Sequence, residues 1–579
     1  MFGRLYSWKT SRFGVASWSA GVAFASLLAV TSLAADERSG ADAEARQKKS
    51  NSPTISGEEI FRREWIADDP RSHGGDGLGP VFNESSCVAC HNQGAIGGGG
   101  PVGKNVQLLT ASMPTLEQLK AAIGNPPPSR QPSPSVPAQQ TSNKPRESQR
   151  AKAIAQVERQ LKATRDQLVN WHPGFRKSNT VVLHRFGIDT KHENWRIRAA
   201  SGIFVSARPS APTQFRARSG NAIQAPRVPT AAFISPVPAQ SGTASVNNSQ
   251  FPQLQSVAVS QAANSNPFPV VGRISQEIQS LKQQARSDMS SAFSVGISAV
   301  QRSQRNTTAL FGIGQIDAIP AEAIEAIAKR KHEDFPRISG RVHRMEDGRV
   351  GRFGWKAQES TLYDFTMTAC AVEVGLHVSD HAQSSVPYKP ETKPTGLDLN
   401  RDEVNSLVDY LKELPAPVQR KSSHAEVAQR LDDGERLFVE VGCAACHVKK
   451  LGDADGLFAD LLLHDMGPDL GAVGSYGVPS TPTFDPDAVP LADKDGKNAK
   501  PKVVPPSAQE WKTPPLWGVR DSAPYLHDGR AATLDQAIAF HGGEAADSRL
   551  RFFMQSPANR MKITAFLKSL VAPDAVAKR

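Results

Sequence analysis

Two short stretches govern the reading of this chain: Cys87-Val88-Ala89-Cys90-His91 and Cys443-Ala444-Ala445-Cys446-His447. Together they use four of the five cysteines. Each occupies the same place in a longer pattern. Upstream stand Gly57-Glu58-Glu59-Ile60-Phe61 and Gly434-Glu435-Arg436-Leu437-Phe438. Downstream, Trp355 and His527 each precede a Thr-Leu pair, Thr361-Leu362 and Thr533-Leu534, by the same interval. Each half then closes on an amphipathic helix. Residues 402–414 carry Val404, Leu407, Val408 and Leu411 on one face before Pro415, and residues 561–571 place Ile563, Phe566, Leu567 and Leu570 alike. A shorter helix is expected at 321–331. The pattern reads as an internal repeat, two copies of one small helical unit.

The motif spacing carries chemistry. Two thiols on one helical turn can add to the two vinyl groups of a haem, and the adjacent imidazole then reaches the iron from one side. A disulfide, a thioredoxin-like pair or a four-cysteine zinc site would explain the thiols. None of these needs a histidine directly after each second cysteine. Two covalently bound haem c groups are therefore expected, on Cys87, Cys90 and His91 and on Cys443, Cys446 and His447. The repeat also predicts an asymmetry. His541 follows Thr533 by the interval at which Ala369 follows Thr361. The second haem would be closed by His447 and His541, with His464 and Met466 as rival ligands. The first would hang on His91 with an open far side, unless Met367 or Cys370 caps it. A closed haem moves electrons, whereas an open one can bind peroxide.

The chain has 579 residues, with 44 Gly and 42 Pro, and a net charge of +11. Arg4, Lys9 and Arg12 precede a short apolar run, and Ser32-Leu33-Ala34 offers a cleavage site. Residues 1–34 thus read as a signal peptide and 35–51 as a disordered linker, with the mature chain in the periplasm. No later stretch is long and apolar enough to span a membrane. The expected fold class is mainly α: two cytochrome c-like helical domains, the first split by a long low-complexity, largely disordered insertion. The first domain comprises 52–124 and 301–420, the insertion 125–300, and the second domain 425–575. Residues 125–275 hold 19 Lys+Arg against 5 Asp+Glu. Such a tract buries too little apolar surface to offset its ordering entropy. It reads as a solvated tether, with a short strand at 180–186 and exposed helices at 154–168 and 276–288. Leader and insertion together carry more than the whole net charge, which leaves the remainder acidic at −6. A basic redox partner fits that surface, and nucleic acid does not. Gly98 to Lys104 mimics a phosphate loop, but Asn105 replaces the hydroxyl needed for magnesium.

Several segments resemble the dihaem oxidoreductase family, related to the bacterial dihaem cytochrome c peroxidases. They are Asp76-Gly77-Leu78-Gly79-Pro80-Val81-Phe82-Asn83, Arg305-Asn306-Thr307-Thr308-Ala309-Leu310-Phe311-Gly312, Gly351-Arg352-Phe353-Gly354-Trp355-Lys356-Ala357, Leu461-Leu462-Leu463-His464-Asp465-Met466-Gly467 and Ala523-Pro524-Tyr525-Leu526-His527-Asp528-Gly529-Arg530. The resemblance covers roughly 52–110 and 300–575. It implies that Trp355 relays electrons between the haems and that Glu373, displaced by about two residues from the family spacing, handles peroxide protons. It also implies a calcium ion on Asn306 and the carbonyls of Ser522 and Pro524. His541 stands where the peroxidases carry methionine, which should lower the potential of the second haem. The implied activity is that of an exported two-haem oxidoreductase. It would reduce an oxidant such as hydrogen peroxide with electrons from a small redox protein or cytochrome. The alternatives are an electron-transfer dihaem cytochrome without turnover of its own, and a binding or scaffold protein whose insertion is the working part.

Overall fold

The structure, a computed structural model, describes residues 55–114, 116, 119–120, 144–200, 268–286, 291–477 and 504–573. The expected leader at 1–34, the linker at 35–51 and several stretches of the insertion lie outside the described residues. No helix among the described residues is long and apolar enough to cross a membrane.

The repeat folds as two equivalent helix pairs. Helix Gly57–Arg62 packs on helix Arg401–Glu413, and helix Ala425–Glu440 packs on helix Pro557–Ser569. The repeated glycine lets each pair close. A methyl group at Gly57 would run into the Ser406 carbonyl and the Tyr410 stem. One at Gly434 would run into the Lys562 carbonyl and the Phe566 stem. The aromatic four residues on fills the crossing. Phe61 lies 5.6 Å from Tyr410 and 6.3 Å from His91, and Phe438 lies 5.4 Å from Phe566 and 6.4 Å from His447. Each pair heads its own apolar core.

The third repeated segment is equally regular. Phe353 bridges Glu359, and Tyr525 bridges Ala531, around tight loops that present Trp355 and His527. Thr361 and Thr533 then cap helices Leu362–Ala369 and Leu534–Ala539 by accepting hydrogen bonds from Asp364 N and Gln536 N. These side-chain caps satisfy backbone donors that the first helical turn leaves free. Helix Ala321–Ile327 is shorter than the expected 321–331.

Two expectations need correction. The described chain is helical in part, but it also carries sheets that the helical reading did not include. An antiparallel four-stranded sheet runs in the order Thr180–Val182, Val106–Ser112, Ser298–Arg305, Ser291–Val295, and four two-stranded ribbons accompany the helices. Nor are the described parts of the insertion a solvated tether. Helix Lys144–Trp171 buries Leu168 and Trp171 on that sheet, in a core with Phe175, Val181 and Leu183. Helix Phe268–Gln284 buries Ile274 and Ile278 in the core of the second half, beside Phe552 and Phe553. Each such isoleucine contributes about 2 kcal/mol of burial, enough to dock an otherwise polar helix. The expected strand near 180–186 is present as Thr180–Val182, with Phe186 pairing Phe82 in a separate ribbon. Average composition concealed these few buried positions among many polar ones.

Candidate functional site

Each motif histidine faces a cavity of its own. The first has a volume of about 130 Å³ and is walled by Phe61, Cys87, Cys90, His91, Leu407 and Leu411, among others. The second has a volume of about 300 Å³ and is walled by Phe438, Cys443, Cys446, His447, Ile563 and Leu567 at the equivalent positions. Trp355 lines both cavities.

The histidines are oriented as metal ligands are. His91 Nδ1 lies 3.2 Å from the Gly98 carbonyl, His447 Nδ1 2.9 Å from the Phe458 carbonyl, and His541 Nδ1 2.8 Å from the Ala537 carbonyl. A carbonyl accepts only an N–H, so Nδ1 of each ring carries the proton and Nε2 is left to act as a ligand atom. Burial pushes the His91 and His447 imidazoles down to about 4 and lowers His541 as well, so all three are neutral at pH 7. Burial likewise raises the thiols of Cys87, Cys90 and Cys443 to about 12. Neutral imidazoles and paired thiols on apolar walls fit a covalently held haem in each cavity.

The far sides differ. His541 lines the second cavity with His447, whereas Ala369, its counterpart, lines the first. Of the rival ligands, His464 is already engaged by its neighbours. His464 is clamped by Asp460 at 2.9 Å and Glu544 at 2.7 Å, which uses both of its nitrogens. Burial pushes its pKa down, but the hydrogen bonds to Asp460 and Glu544 outweigh this and hold it well above the ordinary value. Cys446, Asp460 and His464 bring ligand atoms within 4.8 Å of one another. The double clamp makes that cluster an ion-pair brace. Met466 lines the second cavity, Met367 is buried in the first core, and Cys370 lines the first cavity.

Glu373 lines the first cavity from a π-type turn, Cys370–Val374, that extends the Thr361-capped helix. Asn83 Nδ2 donates to its Oε2 at 2.9 Å, and Arg185 N donates to Asn83 Oδ1 at 3.1 Å. Its Oε1 is buried without a hydrogen-bond partner. Burial raises the carboxyl pKa, with Tyr476 and Asn83 partly opposing. A buried acceptor with nothing to accept from is a place for a ligand proton. Trp355 Nε1 donates to the Asn306 carbonyl at 2.9 Å, and its ring meets His527, its repeat counterpart, edge-on at 6.4 Å. His527 stacks on Trp511 at 3.7 Å, and Lys356 Nζ sits 3.6 Å over the Trp511 ring. Asn306, Ser522 and Pro524 all line the second cavity. Asn306 Nδ2 lies 2.8 Å from the Pro524 carbonyl, and Asn306 Oδ1 is buried without a partner.

Sequence reasoning missed Asn83 as a partner of Glu373, although it lies within a quoted segment. It also missed Trp511 and Tyr476. Tyr476 lines the first cavity although it belongs to a loop of the second half. No local signal marks it, because the contact joins residues 103 positions apart.

Residues 494–570 match the family described as "Di-haem oxidoreductase, putative peroxidase". The chain is 27% identical over 218 residues to a cytochrome-c peroxidase, IdrP2, of Denitromonas iodatirespirans, covering 32% of this chain and 55% of that protein. It is 31% identical over 148 residues to the methylamine utilization protein MauG of Methylorubrum extorquens, covering 24% and 35%. The chain thus spans about half or less of the curated relatives it matches. Two solved structures align at a TM-score of 0.24. One is hydrazine synthase of Kuenenia stuttgartiensis, at 17% identity over 57% of this chain and 100% of that one. The other is a MauG-like protein associated with microbial copper homeostasis, at 15% identity over 45% and 92%. The resemblance to the di-haem oxidoreductases is shown by the family match and the curated relatives.

Proposed function

We propose that this chain is an exported two-haem c-type oxidoreductase built from two cytochrome c-like domains. It reduces peroxide in the His91 cavity with electrons relayed from the His447 cavity. The observation that carries this reading is the asymmetry of the far sides, His541 in one cavity and Ala369 in the other. Bound through Cys87 and Cys90 and through Cys443 and Cys446, the two haems supply iron that changes oxidation state.

The protein groups do the rest. His91 and His447, with Nδ1 fixed on backbone carbonyls, would hold the iron. His541 closes the second cavity to exogenous ligands. Glu373 Oε1 takes a proton from peroxide and delivers it to the departing oxygen, so that peroxide, two electrons and two protons leave as two waters. Trp355, shared by both cavities, bridges them for electrons. Asn306 Oδ1 and the carbonyls of Ser522 and Pro524 offer oxygen ligands to a calcium ion beside that bridge. Residues 1–34 direct export to the periplasm, and the acidic remainder receives a basic cytochrome or small redox protein as donor.

The test is the electron paramagnetic resonance spectrum of the purified ferric protein. One ligand-labile haem beside one low-spin haem is expected, with His541→Ala converting the second to high spin. Two low-spin haems with no peroxide consumption on reduction would leave the electron-transfer cytochrome reading instead.

A further inference from the structure

Two oxidisable aromatic side chains line the first cavity, Trp355 and Tyr476. Their polar partners differ in kind. The Trp355 N–H donates to the backbone carbonyl of Asn306, which cannot take a proton. The Tyr476 side chain shares the first cavity with the carboxylate of Glu373, which can. Oxidation of a phenol is far easier when its proton has somewhere to go, because the cationic form is a very strong acid. An indole without a base passes the charge on, whereas a phenol beside a carboxylate can keep it as a neutral radical.

The placement of Tyr476 is built rather than incidental. Its carbonyl accepts a hydrogen bond from Gln358 Nε2 at 3.0 Å. Two residues earlier, the Gly474 carbonyl accepts from Arg305 Nη2 at 2.6 Å. The Val473 carbonyl accepts from both Arg305 Nη2 and Ser303 Oγ at 3.1 Å. Gly474 adopts φ +88° with Thr110 and Thr180 behind it, so no side chain fits there. Thr110, Thr180, Ser303 and Arg305 all belong to the four-stranded sheet. A loop of the second half is thereby fastened over the cavity of the first, with the inserted module supplying part of the clamp.

We propose that Tyr476 is a redox-active residue of the first cavity, donating one electron to the first haem after its oxidation by a hydroperoxide while Glu373 receives the phenolic proton. The O–H bond breaks, the electron goes to the haem, the proton goes to the carboxylate, and a neutral tyrosyl radical remains. Electrons arriving from the second cavity past Trp355 later restore the phenol, with the proton returned from Glu373. The inference rests on the proposed reaction of peroxide in the His91 cavity.

The experiment adds hydrogen peroxide to the diferric full-length protein and freezes it for electron paramagnetic resonance. A spin-trapped sample is digested for peptide mass mapping. A tyrosyl signal is expected, with the trap on Tyr476, and the signal should be lost in Tyr476→Phe while both haem absorption bands persist. Glu373→Gln, which removes the proton acceptor, should diminish the radical yield. A haem spectral change with the trap mapped elsewhere, or a radical undiminished in Tyr476→Phe, would overturn the role of Tyr476 and leave the peroxide reading intact. No haem response to peroxide in the unmodified protein would overturn both.

Discussion

The two halves are built to one plan and differ where it matters. Gly57 and Gly434 admit the same helix crossing, Phe61 and Phe438 fill it, and Thr361 and Thr533 cap the next helix with nearly the same backbone angles. At the end of that helix the plan forks. The second half turns out at His541, with its ring on the Ala537 carbonyl. The first half has Ala369 and runs on into a π-type turn that brings Glu373 to the cavity. One substitution and one extra turn thus exchange an imidazole for a carboxylate. A shared scaffold can hold two like groups and still give them different work, since ligation depends on a single side chain.

The largest test removes one centre at a time. Cys87→Ser with Cys90→Ser should halve the covalent haem content, read by pyridine haemochrome assay, and Cys443→Ser with Cys446→Ser should do the same. If either pair leaves the content unchanged, the repeat does not carry equivalent attachment sites. Exchanging the forks is the next test. Ala369→His should close the first centre and abolish its ligand binding, measured by cyanide titration of the ferric protein. Retained cyanide binding in that variant would mean that the helix ends are not equivalent.

The glycines should cost less. Gly57→Ala and Gly434→Ala each force apart a packed pair, and each should destabilise its half by about 2 kcal/mol, seen in the denaturant midpoint. Unequal losses would show that only one crossing is tight. One pH effect should arise in the second half, at His464. The His464 pKa is raised in the folded chain by Asp460 and Glu544. Its stabilisation is therefore complete below the unfolded pKa of about 6.5 and fades as pH rises through the higher folded value. His464→Gln should flatten that decline in stability between neutral and alkaline pH. The smallest effects belong to the caps, where Thr361→Ala and Thr533→Ala should each cost about 1 kcal/mol in thermal or denaturant unfolding.

Much of the plan was legible along the chain. The repeated Gly-Glu-x-x-Phe, the paired thiols and the Thr-Leu caps are short, local patterns, and the helices they predict are present within a few residues. The counterpart positions Ala369 and His541 followed from counting alone, and each lines the cavity of its own half. The insertion was misread because composition averages over position. Ile274, Ile278, Leu168 and Trp171 are few, but each is buried.

What the sequence determined by itself is the chemistry at the near side of each cavity, since neighbouring thiols and an imidazole act together wherever the chain goes. Tertiary structure decided the far side. Asn83, Glu373 and Tyr476 come from three distant parts of the chain, and only folding brings them together. Trp355 meets His527 because the two halves face each other. Contacts of that kind depend on how cores pack, and packing is a property of whole surfaces rather than of any spacing along the chain.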